Sequence, residues 1–225
     1  MAEKILILGG TKEAAELARK LVSAGHDVTT SLAGRTREPA PIAGDLRTGS
    51  FGGPIGMAEY LSAKKFDRLI DATHPFASQI SANAKWAADS IGLPIEIRNR
   101  PPWKRQPGDQ WIEVNSLEKA RDKITPGSRV LLALGSQHID LFAIRADVCF
   151  IVRMVDAPAR PLPLPVHELL IGKPGDAPSE TQILKDKRID MIVCRNSGGS
   201  GAYAKIAAAR DLKTPVIIIS QPVGG

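Results

Sequence analysis

Apolar residues in this chain recur with two periods, and the two alternate along its length. In residues 4–8 (KILIL) four apolar residues follow a single lysine, the pattern of a parallel strand buried on both faces. Residues 12–24 switch to helical spacing through Ala15, Leu17, Ala18, Leu21 and Val22, and Gly25 stops the helix. A second strand follows at 27–32, then a loop rich in Pro and Gly over 34–56 with a short strand near Leu46. Helix is predicted over 57–65, strand over 67–72, helix over 76–91 and strand over 94–98. Such βαβα alternation implies a parallel, doubly wound sheet.

Residues 99–112 (NRPPWKRQPGDQWI) hold three prolines and two tryptophans and interrupt the pattern. The junction is placed here, dividing the chain into lobes of residues 1–113 and 114–225. The alternation then resumes. Strands are predicted at 128–134, 148–154, 189–194 and 215–219, with helices at 116–123, 137–144, 178–187 and 201–212. Residues 157–165 (APARPLPLP) are too proline-dense for a helix or a central strand and read as a loop. The fold class is therefore α/β: two Rossmann-like lobes with parallel sheets and an interlobe cleft. Residues 1–8 read as a first strand rather than a signal peptide, and no apolar run is long enough to span a bilayer.

Three loops follow predicted strands and lead into predicted helices. In open α/β sheets such positions bind ligands, because backbone N–H groups and helix N-termini converge there. The first, Gly9-Gly10-Thr11-Lys12-Glu13, aligns with the dinucleotide fingerprint as Gly10-x-Lys12-x-x-Ala15. It keeps the turn glycine and replaces the other two. A plain tight βα turn is the alternative. An NAD-binding unit usually carries an acid at the end of its second strand; here the segment is Ser31-Leu32-Ala33-Gly34-Arg35. Ser31, Gly34 and Arg35 suit a 2′-phosphate, so NADP(H) is preferred over NAD(H). Gly52 and Gly53 add flexible backbone near the same ligand. Thr73 and His74, in Asp71-Ala72-Thr73-His74-Pro75-Phe76, fall where a nicotinamide would meet its substrate. The third loop, Asn196-Ser197-Gly198-Gly199-Ser200-Gly201, lacks the Gly-Lys-Ser/Thr of an ATP loop. Flanked by Arg195 and Lys205, it reads as a carboxylate site.

Net charge is +6, but aromatics make up only 4% and no dense Lys/Arg run occurs. That argues against nucleic acid. Arg35, Arg47, Arg98, Arg100, Arg153, Arg160 and Arg195 instead lie scattered near strand ends, where they suit a small anionic ligand. Cys149 and Cys194 sit in apolar runs and read as buried thiols in a reducing cytoplasm; a disulfide or a metal pair is the alternative. His167-Glu168 lacks the second histidine of a zinc helix, and His26 and His138 stand alone, so no metal site is predicted. Tyr60-x-x-x-Lys64 matches a short-chain dehydrogenase pair but lies too early in the chain.

Gly9-Gly10-Thr11-x-Glu13-Ala14, Phe51-Gly52-Gly53, Asp71-Ala72-Thr73-His74-Pro75-Phe76-Ala77 and Asn196-Ser197-Gly198-Gly199 resemble the precorrin-6A reductase family of cobalamin biosynthesis. Arg195, in place of an expected lysine, is a mild departure that keeps the charge. The resemblance implies a two-lobed Rossmann-like fold and NADPH-dependent reduction of one double bond of an anionic tetrapyrrole, giving precorrin-6B. It implies direct hydride transfer without metal or flavin. The pyrophosphate would lie near Gly10 to Glu13 and the 2′-phosphate near Ser31 and Arg35. The macrocycle would meet Phe76, Arg153, Arg195, Lys205 and the 196–201 loop. His74 is the first candidate for proton donor and Lys205 the second. Intermediates would pass to or from neighbouring pathway enzymes. Two other readings stay open from the residues themselves: a short-chain-type reductase or epimerase on a smaller substrate, and a non-catalytic NADP sensor.

Overall fold

Two parallel sheets form, each from its own half of the chain. The computed structural model describes residues 1–34, 41–135 and 137–222. Two compact units, Met1–Arg100 and Pro101–Pro222, divide ahead of the boundary expected after residue 113.

In the first unit, strands β1 (Lys4–Leu8), β2 (Asp27–Leu32), β3 (Asp45–Thr48), β4 (Arg68–Asp71) and β5 (Ile95–Ile97) lie in the order β3-β2-β1-β4-β5. Every neighbouring pair is parallel. Helices α1 (Lys12–Ser23), α2 (Pro54–Ala63) and α3 (Ser78–Ile91) make the crossovers. Successive side chains of a strand point to opposite faces, so a strand covered on both sides needs apolar residues throughout. Accordingly Ile5 and Ile7 pack with Ala14 and Ala18 of α1, while Leu6 and Leu8 pack with Met57 and Leu61 of α2 and Ala84, Ala87 and Ala88 of α3. Helix α2 begins three residues before its expected start at 57, because Pro54 at its first turn has its φ preset for helix.

In the second unit, β6 (Trp111–Val114), β7 (Arg129–Ala133), β8 (Cys149–Met154), β9 (His167–Ile171), β10 (Met191–Arg195) and β11 (Val216–Ile219) are ordered β6-β11-β10-β7-β8-β9. These pairs too are all parallel. Helices α4 (Leu117–Asp122), α5 (Ala177–Asp186) and α6 (Ala204–Asp211) accompany them, and the helix expected at 137–144 is a single 3₁₀ turn at Ile139–Phe142. Strands β6 and β9 had no counterpart in the sequence reading. Both are sheet edges. Trp111 of β6 pairs in register with Val216 of β11, which draws the 111–114 segment into the second unit. No helix among the described residues is long and apolar enough to cross a membrane.

Each sheet has one point where successive connections leave in opposite directions: between β1 and β4 in the first, and between β7 and β10 in the second. The loops there diverge and open a crevice beyond the carboxyl ends of the strands.

Leu6 is wholly buried, whereas Leu169 on edge strand β9 is 41% exposed. Leu6→Ala is expected to cost about 2–5 kcal/mol, and Leu169→Ala within about 0.5 kcal/mol. Urea unfolding monitored by circular dichroism measures both; equal losses would contradict the assignment of core and edge.

Candidate functional site

The first crevice is built around a tight turn. Gly10 has φ +101°, a conformation that glycine adopts without strain. Gly9 donates its N–H to the Ser31 carbonyl at 2.9 Å. A Cβ on Gly9 would stand 2.7 Å from the Thr30 methyl, so glycine is required there for close packing of turn on strand. Thr11 caps α1: its hydroxyl accepts from the Ala14 N–H at 3.0 Å and donates to the Ala72 carbonyl at 3.0 Å. That hydroxyl ties the loop after β1 to the loop after β4. Lys12 is paired with Glu16 at 3.9 Å on the exposed side of α1, and Glu13 with Arg100 at 3.0 Å. With the uncovered amides of its first turn, the start of α1 favours an anion.

Beyond β4, the buried Asp71 carboxylate accepts from the Thr73 N–H at 3.0 Å and from its hydroxyl at 2.7 Å. This closes an Asx turn and fixes Thr73. His74 Nδ1 accepts from the Phe76 N–H at 3.2 Å, and the two rings lie 5.7 Å apart. With Nδ1 acting as acceptor, the neutral imidazole carries its proton on Nε2.

Ser31, 6% exposed, is the penultimate residue of β2 and lies opposite Arg47 of β3. The Arg47 guanidinium donates to the Ser31 hydroxyl at 3.2 Å and to the Gly49 and Ser50 carbonyls at 2.7 and 2.8 Å. It also lies 3.7 Å over the Phe51 ring. Gly34, Gly52 and Gly53 all have positive φ. The expected contact of Arg35 falls outside the described residues. Tyr60 packs between Phe51 and Phe66, so the Tyr60/Lys64 spacing is a packing feature of α2.

In the second unit the 196–201 loop is held by an aromatic residue that sequence reasoning passed over. Asn196, 8% exposed, accepts the Trp103 N–H at 2.7 Å and donates to the Trp103 carbonyl at 3.0 Å. The Trp103 indole donates to the Gly199 carbonyl at 2.7 Å. Gly198 and Gly199 sit at φ +64° and +65°. Ser197 turns its hydroxyl back to the Arg195 carbonyl, while Ser200 is exposed on a groove of about 550 Å³ that Trp103, Lys104, Gln106 and Tyr203 also line. Tyr203 is braced by Arg210, whose guanidinium also pairs with Asp109. Trp103 lies beside two prolines in the junction segment 99–112, whose local pattern gives no sign of a distant partner.

Two cations expected to meet ligand are engaged internally instead. Arg153 is 7% exposed and donates to the fully buried Glu180 at 2.6 Å, and Glu180 also accepts from the Gly175 N–H. Lys205, 4% exposed, donates to the Ala202 carbonyl at 2.7 Å and lies 5.2 Å from the Trp103 ring centre. Burial pushes the Lys205 ammonium below the usual lysine range, opposed by the nearby Cys194 and Glu180. Burial pushes the Cys194 thiol up, opposed by the nearby Lys205.

Arg153→Ala is expected to cost about 3–5 kcal/mol, because it strands Glu180 in the core, and Arg153→Met with Glu180→Leu to recover most of it. Chemical denaturation measures both, and an undiminished stability in Arg153→Ala would exclude the structural role. For Lys205, the folded chain releases the ammonium proton at lower pH than the unfolded chain. The unfolded state thus binds more protons between the lowered folded value and the ordinary lysine range, and stability rises with pH across that window. The difference in stability between the unaltered protein and Lys205→Met should shift in favour of the unaltered protein as pH rises through it; parallel pH profiles would contradict this.

Comparison with known proteins agrees with this arrangement. The family described as precorrin-6x reductase CbiJ/CobK matches residues 4–225. A precorrin-6A reductase of Rhodococcus erythropolis is 41% identical over 97% of this chain and 89% of its own length. A cobalt-precorrin-6A reductase of Priestia megaterium is 27% identical over 97% of this chain and 90% of its own. A solved structure described as CobK precorrin-6A reductase superposes with a TM-score of 0.96 at 40% identity, covering 100% of this chain and 90% of that one. With that match running through both sheets and all three loops, the chain belongs to the precorrin-6x reductase CbiJ/CobK family.

Proposed function

We propose that this protein reduces one double bond of precorrin-6A, giving precorrin-6B, with NADPH as the reductant. The observation that carries the proposal is near-complete coverage at 41% identity by a protein named for that reaction. The cofactor supplies a hydride when bound. The residues of the first unit suit such a dinucleotide: Gly9 and Gly10 bring backbone close, and the backbone N–H groups at the α1 N-terminus offer hydrogen bonds to a pyrophosphate. No acid stands at the end of β2 to repel a 2′-phosphate, and Ser31 and Arg35 fall there in the sequence. Thr73, fixed by Asp71, and His74 lie beyond β4, on the other side of the crevice from Ser31 in strand order.

The substrate bears acetate and propionate arms. Ser200 and Lys104 on the second unit's groove suit one such arm, with Trp103 and Tyr203 as an apolar floor. Arg153 and Lys205 act beneath it as supports. His74 is the proton donor of choice, through Nε2, because Nδ1 is already an acceptor. The metal-free macrocycle is favoured over the cobalt form. The relative named for precorrin-6A is 41% identical, against 27% for the one named for cobalt-precorrin-6A.

Anaerobic mixing with NADPH and precorrin-6A, following both absorbances, is expected to show one NADPH lost per macrocycle converted. Binding of NADPH without its consumption, with both the metal-free and the cobalt macrocycle, would replace this reading with a sensor. Consumption with cobalt-precorrin-6A alone would reverse the choice of substrate. His74→Ala is expected to lower kcat by about 10²–10⁴-fold with NADPH affinity retained; an unchanged kcat would assign the proton to solvent.

A further inference from the structure

We propose that Arg47, together with the Ser31 hydroxyl, seats the 2′-phosphate of the dinucleotide and sets the preference for NADPH over NADH. The inference rests on the cofactor reading above and adds a residue which the fingerprint of the second strand does not contain. In a sheet ordered β3-β2-β1-β4-β5, the ribose of a dinucleotide held at the β1 turn lies over the end of β2, where an acid receives a 2′-hydroxyl or an arginine a 2′-phosphate. Ser31 occupies that end, and the β2–β3 register sets Arg47 directly beside it.

Three features of Arg47 fit this role. First, its guanidinium is held in place by three hydrogen bonds and by the Phe51 ring beneath it, so little freedom remains to be lost on binding. Second, those bonds end on two carbonyls and a hydroxyl, and among the described residues no carboxylate pairs with it. The contrast with Arg129, Arg145, Arg153 and Arg210 is direct, since each of these pairs with an acid. Among the described residues, the positive charge of Arg47 is fixed but not neutralised. Third, a guanidinium has five N–H donors and the three bonds leave two for a further acceptor. Because Arg47 donates to the Ser31 oxygen, the Ser31 O–H proton is directed elsewhere and is available to a phosphate oxygen.

The test is equilibrium binding, measured by calorimetry without macrocycle, of NADPH against NADH and of 2′-AMP against 5′-AMP. NADH serves as the control for the fold of the site. Arg47→Ala is expected to weaken NADPH and 2′-AMP by about 10- to 100-fold, with NADH and 5′-AMP changed by less than about twofold. Arg47→Lys should recover only part of the loss, since it keeps the charge without the fork. Ser31→Ala should give a smaller loss of the same selectivity, and it leaves the Gly49 and Ser50 contacts of Arg47 in place should Arg47→Ala fail to fold. Equal weakening of NADPH and NADH by Arg47→Ala and by Arg47→Lys would make the residue a loop brace and overturn the inference. So would a preference for NADPH that survives in Arg47→Ala and disappears in Arg35→Ala. If the unaltered protein bound NADH as tightly as NADPH, the cofactor reading itself would fail, whatever the variants did.

Discussion

Strand β1 has no free face and no free edge. Its two neighbours take its backbone hydrogen bonds, and α1 on one side and α2 with α3 on the other take its side chains. A segment so enclosed must be apolar wherever it is covered, as Ile5 to Leu8 are after the partly exposed Lys4, and its carboxyl end opens where the covering connections part. The connections reverse there, so that end is also where space for a ligand opens. Gly9, Gly10 and Thr11 sit at that exit. The Thr11 hydroxyl serves both neighbouring segments at once, capping α1 and holding the Ala72 carbonyl of the loop after β4. The packing of β1 and the geometry of the crevice are therefore one constraint, and Thr73 and His74 inherit their positions from it.

The second unit solves a different problem. Its glycine loop has little side chain of its own to hold it, so neighbouring residues supply the support. Asn196 binds the Trp103 backbone in both directions, the indole binds Gly199, and the Lys205 ammonium closes on Ala202 under the same ring. Lys205 is costly to bury as a cation, and burial lowers its pKa accordingly. Placing such a group beneath a loop gives it one carbonyl to satisfy and so fixes the loop's path. Rigid support of this kind suits a site that must receive a bulky ligand without reorganising.

Most of the first unit was legible in the sequence because its central strand is a short apolar run stopped by Gly9-Gly10, and β2 and β4 on either side are short β-prone segments bounded by helical periodicity. The edges of the second sheet were not. Trp111-Ile112-Glu113-Val114 and His167-Glu168-Leu169-Leu170-Ile171 are strands with one edge uncovered, and charged residues interrupt their apolar patterns. Prolines nearby deepened the impression of linker. The loops were found by position, since strand-end glycines advertise themselves. Their supports were not: Trp103 reaches Asn196 across 93 residues, and no local spacing records that pairing. Arg153 shows the same limit. Its partner Glu180 is 27 residues away, on the exposed-looking helix α5.

The fate of the arginines decides how a basic sequence should be read. A net charge of +6 suggested a surface arranged for an anion, and arginines at strand ends suggested where. Yet Arg98, Arg100 and Arg153 of that set each meet a carboxylate of this same chain, as do Arg129, Arg145 and Arg210 elsewhere. Their charges are locally cancelled, and their donors serve carbonyls and carboxylates that hold strands and turns together. What distinguishes an arginine poised for a ligand is the chemistry of its partners rather than its place in the chain. Carbonyls and hydroxyls orient a guanidinium without neutralising it, whereas a carboxylate does both. Arg47 has partners only of the first kind among the described residues, and it lies where the strand order leads a dinucleotide's ribose.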